Sequence, residues 1–316
     1  MAGAIARIRR GLAQSRLRPA LLAVWNRGHQ WFWASAELLD ALVHRRWERC
    51  SVCGRVRPML LRRRVVPTGL VDRWNLTPEL AEALRRKESL DCAGCGAKLR
   101  ARRLAKVLLE ILPSSNATSL RAWSTTARAR GLRIAEINRI DGLHESLAGL
   151  PGFVASDFVE NARPGEVVRG VRHEDLMGLT FADESLDLVL TSETLEHVPD
   201  LDQALREIHR VLAPGGLHAC TVPKLPDTPR TFARARLGAG GELELLAPSI
   251  RHPGGDVGYL VFTEFGADWP ALASKQGFRV EEYFGPTCVT DLAQVVVMHK
   301  HKAEVTGSSP GSTQSP

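Results

Sequence analysis

The sequence predicts an α/β protein whose larger part is a doubly wound, mostly parallel sheet, preceded by a small cysteine-bearing module and an N-terminal helical segment. Three observations carry this prediction. From about residue 132, short apolar runs alternate with helical patterns, as in a parallel sheet covered on both faces. Upstream, four of the six cysteines fall in two Cys-x-x-Cys-Gly turns. The charge also divides: residues 1–110 carry 23 Lys and Arg against 9 Asp and Glu, whereas the rest carries 19 against 26. A basic front and an acidic rear point to modules with different tasks.

Residues 1–46 form a basic amphipathic helical segment. Ile5, Ile8 and Leu12, then Leu38, Leu39, Leu42 and Val43, recur at helical spacing, with Trp25, Trp31 and Trp33 between them. An Arg-rich helix with aromatics suits packing on the next domain and allows peripheral membrane contact. Residues 47–112 form the cysteine module and a connecting helix. Cys50 with Cys53, and Cys92 with Cys95, put two thiolates on each tight turn. Four thiolates complete a tetrahedral zinc shell with no open position, the pattern of a structural zinc. Disulfides are the alternative, disfavoured in a cytoplasmic chain. Between the turns, Thr77 as N-cap and Pro78 at the first position start a helix through Arg86. Leu104, Val107, Leu108 and Ile111 mark a second helix, ended by Pro113 and a Ser/Asn/Thr linker to Ser119. Cys220 and Cys288 read as unpaired thiols in or near the core.

Residues 120–302 hold the sheet domain. Strands are expected at Leu132–Ile137, Phe153–Ala155, Leu186–Thr191, Leu217–Val222, Phe278–Tyr283 and Val295–His299. Helices are expected from Leu143 to Leu147, Leu201 to Leu212 and Trp269 to Gln276, with Gly215-Gly216 closing the second. Residues 303–316 are rich in Ser, Gly, Pro and Thr and should be disordered.

The longest apolar candidate, Leu21–Val43, is broken by Arg27, Glu37 and Asp40, so no transmembrane span is expected. Arg16 and Arg18 interrupt what would be a signal-peptide core, and the expected location is cytoplasmic. Nucleic-acid binding through the basic module would call for aromatics among its arginines. Trp74 alone lies in residues 50–110, which counts against it. The sequence leaves the oligomeric state open.

The stretch from Asp175 to Pro223 carries the strongest signal. Asp175, Leu179-Thr180-Phe181, Ser185-Leu186-Asp187, Leu195-Glu196-His197-Val198, Ala204-Leu205, Glu207, Arg210-Val211-Leu212 and Pro214-Gly215-Gly216 follow one another in a nearly continuous pattern. It resembles the class I S-adenosylmethionine-dependent methyltransferases, of the type 11 domain kind. The resemblance implies a Rossmann-like methyltransferase sheet, S-adenosylmethionine as cofactor and methyl transfer as activity. It places Glu136, Asn138 and Gly142 in the cofactor loop after the first strand, where Asn138 and Ile140 stand at positions the family fills with glycine. Asp157, 21 residues after Glu136, takes the ribose position. Asp175 falls near the adenine, and Ser192 and Glu193 on the binding edge. A looser resemblance, carried by the cysteine turns, His252, Gly258-Tyr259-Leu260-Val261, Phe265-Gly266, Asp268 and Gly277-Phe278, is to bacterial methyltransferase-like proteins associated with glycosyltransferases. It implies a sugar, glycan or small-molecule hydroxyl as acceptor. His197 and His252 are the candidate bases, with His144 a third, since histidine titrates near neutral pH. A degenerate, non-catalytic binding or scaffold protein is the alternative that Asn138 and Ile140 favour.

Overall fold

The computed structural model describes residues 34–62, 71, 74, 76–112, 116–224, 228–252, 258–283 and 292–302. Most of the N-terminal helical pattern, the Ser/Gly-rich tail and Cys288 lie outside them. Among the described residues, 34–43 are helical (α1) and leave Leu38, Leu39, Leu42 and Val43 exposed. Strand β1 (Trp47–Arg49) pairs with β2 (Val56–Leu61). After helix α2 (Pro78–Ser89), β3 (Leu90–Cys92) completes a three-stranded antiparallel sheet in the order β1-β2-β3. The Thr77 hydroxyl caps α2 by accepting from Leu80 N, as its sequence predicts. Helix α3 (Leu99–Ile111) follows, then two one-turn helices, α4 (Leu120–Trp123) and α5 (Ala127–Arg130), capped by Ser119 and Thr126. The end of the expected linker is packed rather than loose. Leu120 N and Arg121 N donate to Ser51 O and Val52 O in the first cysteine turn, and Ser119 is buried.

The large sheet starts at β4 (Ile134–Ile137). Helix α6 (His144–Leu147), β5 (Phe153–Asp157), β6 (Val167–Val168), β7 (Val171–His173) and β8 (Leu186–Ser192) follow. A 3-10 turn at Leu195–His197 leads into α7 (Leu201–Val211), which feeds β9 (Leu212–Thr221). Six short strands come next: β10 (Phe232–Ala233), β11 (Ala235–Leu237), β12 (Leu243–Leu245), β13 (Arg251–His252), β14 (Tyr259–Leu260) and β15 (Thr263–Glu264). Helix α8 (Trp269–Lys275), β16 (Phe278–Tyr283) and β17 (Val295–Lys300) close the domain.

The eight strands lie in the order β16-β17-β9-β8-β4-β5-β7-β6. Strands β9, β8, β4, β5 and β7 are mutually parallel. Strand β17 runs antiparallel to both its neighbours, as β6 does to β7. This is the doubly wound, Rossmann-like methyltransferase arrangement expected. The chain leaves β4 toward β5 and later returns to β8 on its other side. The crevice beyond Ile137 and Ser192 is therefore the topological switch point, where such sheets bind ligands. One expectation changes. Gly215-Gly216 does not form a turn ahead of the strand, because β9 begins directly at Leu212. The register passes from Leu186↔Leu212 to Leu188↔Leu217, leaving residues 213–216 as a bulge with Gly215 at φ +81.

Strand alternation distributes the core to both faces. Val189, Cys220, Val296 and Met298 face α7 and α8, where Ala204, Leu205, Ile208 and Val211 supply the buried stripe of α7. Asp200 starts that stripe cleanly by accepting from Gln203 N. Each buried Leu or Ile there contributes roughly 1.5–3 kcal/mol. On the opposite face Ile134, Leu188, Leu190, Val295 and Val297 share one apolar cluster with Leu104 and Leu108 of α3 and with Cys50, Val52 and Met59 of the cysteine module. The module thus supplies part of the layer over the sheet.

Gly142, in the loop after β4, shows how close this contact is. It has φ +71, and a Cβ there would lie 2.8 Å from both the Ala97 Cβ and Cys95 O. Gly142→Ala should cost about 2 kcal/mol and lower Tm by roughly 5 °C. Thermal denaturation followed by circular dichroism checks this; an unchanged Tm would show that the module yields.

Candidate functional site

The loop after β4 is held by the ends of three strands. Asn138 takes φ +61, the left-handed geometry that glycine would otherwise supply, while Ile140 is absent from the positive-φ residues. The departure from glycine therefore brings no backbone strain at Ile140. The Ile140 side chain is 3 % exposed and belongs to the cluster with Leu143 and Leu147. Asn138 Oδ1 accepts from Phe158 N at 3.0 Å, and its N donates to Ser156 O at 2.9 Å. Asp157 Oδ1 accepts from Arg139 N at 2.8 Å. Its other oxygen has no hydrogen-bond partner among the described residues.

Glu136 is fully buried at the end of β4. One carboxyl oxygen accepts from Ile140 N at 3.2 Å, and the other meets His144 Nδ1 at 2.7 Å. Burial pushes its pKa up to about 7, although His144 pulls the other way. His144 is thus committed to Glu136 and stands apart from the other two histidines. Asp175, after β7, accepts from Met177 N at 2.8 Å and makes no described hydrogen bond to the β4 loop.

At the end of β8, the expected edge residues meet the cysteine module. Ser192 Oγ lies 2.8 Å from Thr221 Oγ1 and accepts from Arg100 Nε at 3.2 Å. Glu193, at φ +51, accepts from Lys87 Nζ at 2.7 Å. Lys87 is 2 % exposed. Burial lowers its pKa, but Glu193 and Glu88 outweigh that and hold it above the ordinary lysine value. Arg100 also pairs with Glu88, and Lys98 reaches Asp141 at 3.1 Å. Sequence reasoning missed Lys87 and Arg100, which look like ordinary cations of a basic helix.

Immediately beyond, His197 and His252 come together, although 54 residues separate them. Their ring centroids are 5.0 Å apart and nearly perpendicular. Between them lies Glu196, fully buried, with Oε1 3.5 Å from His197 Nε2 and 3.4 Å from His252 Nδ1. Both distances exceed a good N–H···O hydrogen bond, and among the described residues neither carboxyl oxygen has a hydrogen-bond partner. His197 Nδ1 donates to Leu260 O at 2.7 Å. His252 lines a pocket with room for about one water, together with apolar Trp74, Pro223, Ile250, Val261 and Phe265 and polar Thr228, Thr263 and Glu264. Glu196 was also missed. Its signal was its place beside His197, which sequence reading took only as part of a pattern.

The cysteines converge as expected. The four Sγ atoms lie within 4.8 Å of one another. Cys50 and Cys95 Sγ are 3.8 Å apart, and Cys53 and Cys92 Sγ 3.9 Å. Thiolates at ~2.3 Å from a tetrahedral zinc sit about 3.8 Å apart, so this set could hold that ion.

Residues 153–220 match the family described as a methyltransferase domain. Among curated proteins, the demethylmenaquinone methyltransferase of Staphylococcus epidermidis is 46% identical over 57 residues, 18% of this chain and 24% of that one. The ubiquinone biosynthesis O-methyltransferase of Ruegeria pomeroyi is 34% identical over 119 residues, 34% of this chain and 47% of that one. The chain thus spans less than half the length of each. A solved S-adenosylmethionine-dependent methyltransferase from Mesorhizobium loti superposes with a TM-score of 0.34 at 20% identity, covering 54% of this chain and 91% of that one. Among the described residues, no helix is long and apolar enough to cross a membrane.

The Glu136 pKa gives a pH test. Raised from 4.5 to about 7, it makes the folded chain hold a proton that the unfolded chain releases. Its stabilising contribution is complete below pH 4.5 and lost as pH rises through 7. Between pH 4.5 and 8 the native chain should lose about 3 kcal/mol that Glu136→Gln does not lose. Urea denaturation of both proteins across that range measures the difference; parallel profiles would contradict the raised pKa.

Proposed function

We propose that the chain is an S-adenosylmethionine-dependent methyltransferase that O-methylates a hydroxyl of a small molecule or sugar. The observation carrying this reading is the meeting of His197, His252 and Glu196 just beyond the carboxyl end of β8, beside a small pocket. The methyltransferase match over residues 153–220 supports the reaction class. The choice of a hydroxyl acceptor, sugar or small molecule, rests on the looser sequence layout.

The residues of the β4 loop fit the cofactor. Asn138 supplies the left-handed turn, Ile140 is packed into the core under the loop, and Asp157 keeps one oxygen for ribose hydroxyls. When bound, S-adenosylmethionine supplies an electrophilic methyl group that moves in line onto a lone pair, the sulfonium becoming a neutral thioether. The chain's own work is to hold the acceptor in line and to take its proton. His252, at the pocket wall, is the proposed base. His197, fixed by Leu260 O, packs edge-on against it. The four cysteines hold a structural zinc that keeps Lys87 and Arg100 over the sheet edge.

A second reading, a non-catalytic binding protein, has its own observation: Glu136, Ser192 and Glu193 are already engaged by protein groups. Calorimetric titration with S-adenosylmethionine separates the two. The enzyme reading expects saturable binding that Asp157→Ala weakens at least tenfold, with the fold intact by circular dichroism. Absence of binding at millimolar cofactor would favour the second reading.

A further inference from the structure

The cluster beyond β8 is unusual as a purely protonic site. Glu196 is 0 % exposed, and among the described residues neither oxygen has a hydrogen-bond donor. A buried carboxylate left this way costs several kcal/mol unless a positive charge faces it. Among the described residues no Lys or Arg pairs with it; the groups facing it are two imidazoles. The carbonyl of Leu260 can only accept, so His197 Nδ1 carries the proton of the neutral ring. Nε2 then carries a lone pair and lies 3.5 Å from the Glu196 carboxylate. Two electron-rich atoms face each other with a gap between them. An imidazole whose far N–H is held by a backbone carbonyl is the usual second-shell arrangement of a metal-ligating histidine.

The spacing agrees with an ion in the gap. Nitrogen and oxygen ligands at ~2.0–2.1 Å from a tetrahedral zinc sit about 3.3 Å apart. Glu196 Oε1 lies 3.5 Å from His197 Nε2 and 3.4 Å from His252 Nδ1. The three donors lie within 4.8 Å of one another. Glu193, the nearby acid, is taken by Lys87, so the donor set is two imidazoles and one carboxylate.

We propose that Glu196, His197 and His252 bind a divalent cation of the zinc class, with a fourth position open toward the small pocket that His252 lines. Three protein ligands leave such an ion one site for water or for an acceptor oxygen, unlike the closed four-thiolate shell. Bound there, an acceptor hydroxyl would be polarised and would shed its proton to solvent, His252 then acting as ligand in place of base. This last point rests on the proposed methyl transfer; the metal site itself does not.

The test is equilibrium dialysis of the full chain against zinc chloride, with bound zinc measured by mass spectrometry. The native chain should bind two equivalents. His252→Ala and Glu196→Gln should each retain one, and Cys92→Ser should lose the other. Cobalt separates the sites spectroscopically. The four-cysteine equivalent shows sulfur-to-metal charge transfer, which His252→Ala retains, while the second equivalent adds only ligand-field bands. His252 is partly exposed, so its alanine variant should fold, and circular dichroism checks this. One equivalent in the native chain, or two in folded His252→Ala, would overturn the site. Two equivalents with no S-adenosylmethionine binding would leave the metal site standing and remove the methyltransferase reading.

Discussion

Much of the structure depends on burying charge where the cysteine module meets the carboxyl end of β8. Lys87 Nζ and Glu193 meet at 2.7 Å with the lysine almost wholly out of water. Such a pair gains little net stability, because desolvation offsets the Coulomb term; removing one partner strands the other at about 3–5 kcal/mol. What it supplies is position. Lys87 lies near the end of α2, and Arg100 opens α3 just past the second cysteine turn. If that turn shifts, both cations lose their partners on the sheet edge. The thiolate shell and the crevice are therefore mechanically coupled, and Gly142, with no room for a methyl group against Cys95 and Ala97, closes the same joint from the sheet side.

This coupling also explains how the β4 loop tolerates its departures from glycine. Asn138 provides the left-handed residue and ties the loop to Phe158 through its side chain. Glu136 spends both oxygens inside the protein, on Ile140 N and His144, and so fastens the loop from below. A loop built on glycine would rely on backbone freedom; this one relies on side-chain hydrogen bonds and a packed isoleucine. The crevice is thereby narrower in its choices and more rigid.

The sheet was largely legible in the sequence because strands buried on both faces leave apolar runs, as in Leu188–Leu190 of β8 and Val295–Met298 of β17. Helix α7 was legible from its apolar period and Asp200. The short strands from β10 to β15 were not, since two or three residues cannot show a period. Nor was β9's early start, because Pro214-Gly215-Gly216 reads as a turn wherever the hydrogen bonds fall. At the site, the two histidines were found by residue type and by the strand end. Glu196 was overlooked because its importance comes from lying between rings that are distant in sequence. Lys87 was overlooked because burial, not identity, makes it special.

Spacing assigns the two ligand clusters to different tasks. The thiolates stand 3.8 and 3.9 Å apart, and all four come from the two short turns that the β2–β3 pairing brings together. Four thiolates would leave an ion no further position, so that cluster suits a stabilising role. Glu196 Oε1 stands 3.5 Å from His197 Nε2 and 3.4 Å from His252 Nδ1, and these groups come from a strand-end turn and a distant short strand. Their ring of ligands is incomplete and borders a small pocket. A carboxylate kept in such a place without hydrogen bonds is costly, and nothing in packing requires it; an apolar side chain would fill the space at lower cost. Its presence therefore calls for a facing positive charge, proton or cation, which is why the proposed chemistry is drawn on the β8 side, beside the frame that the cysteine module supplies.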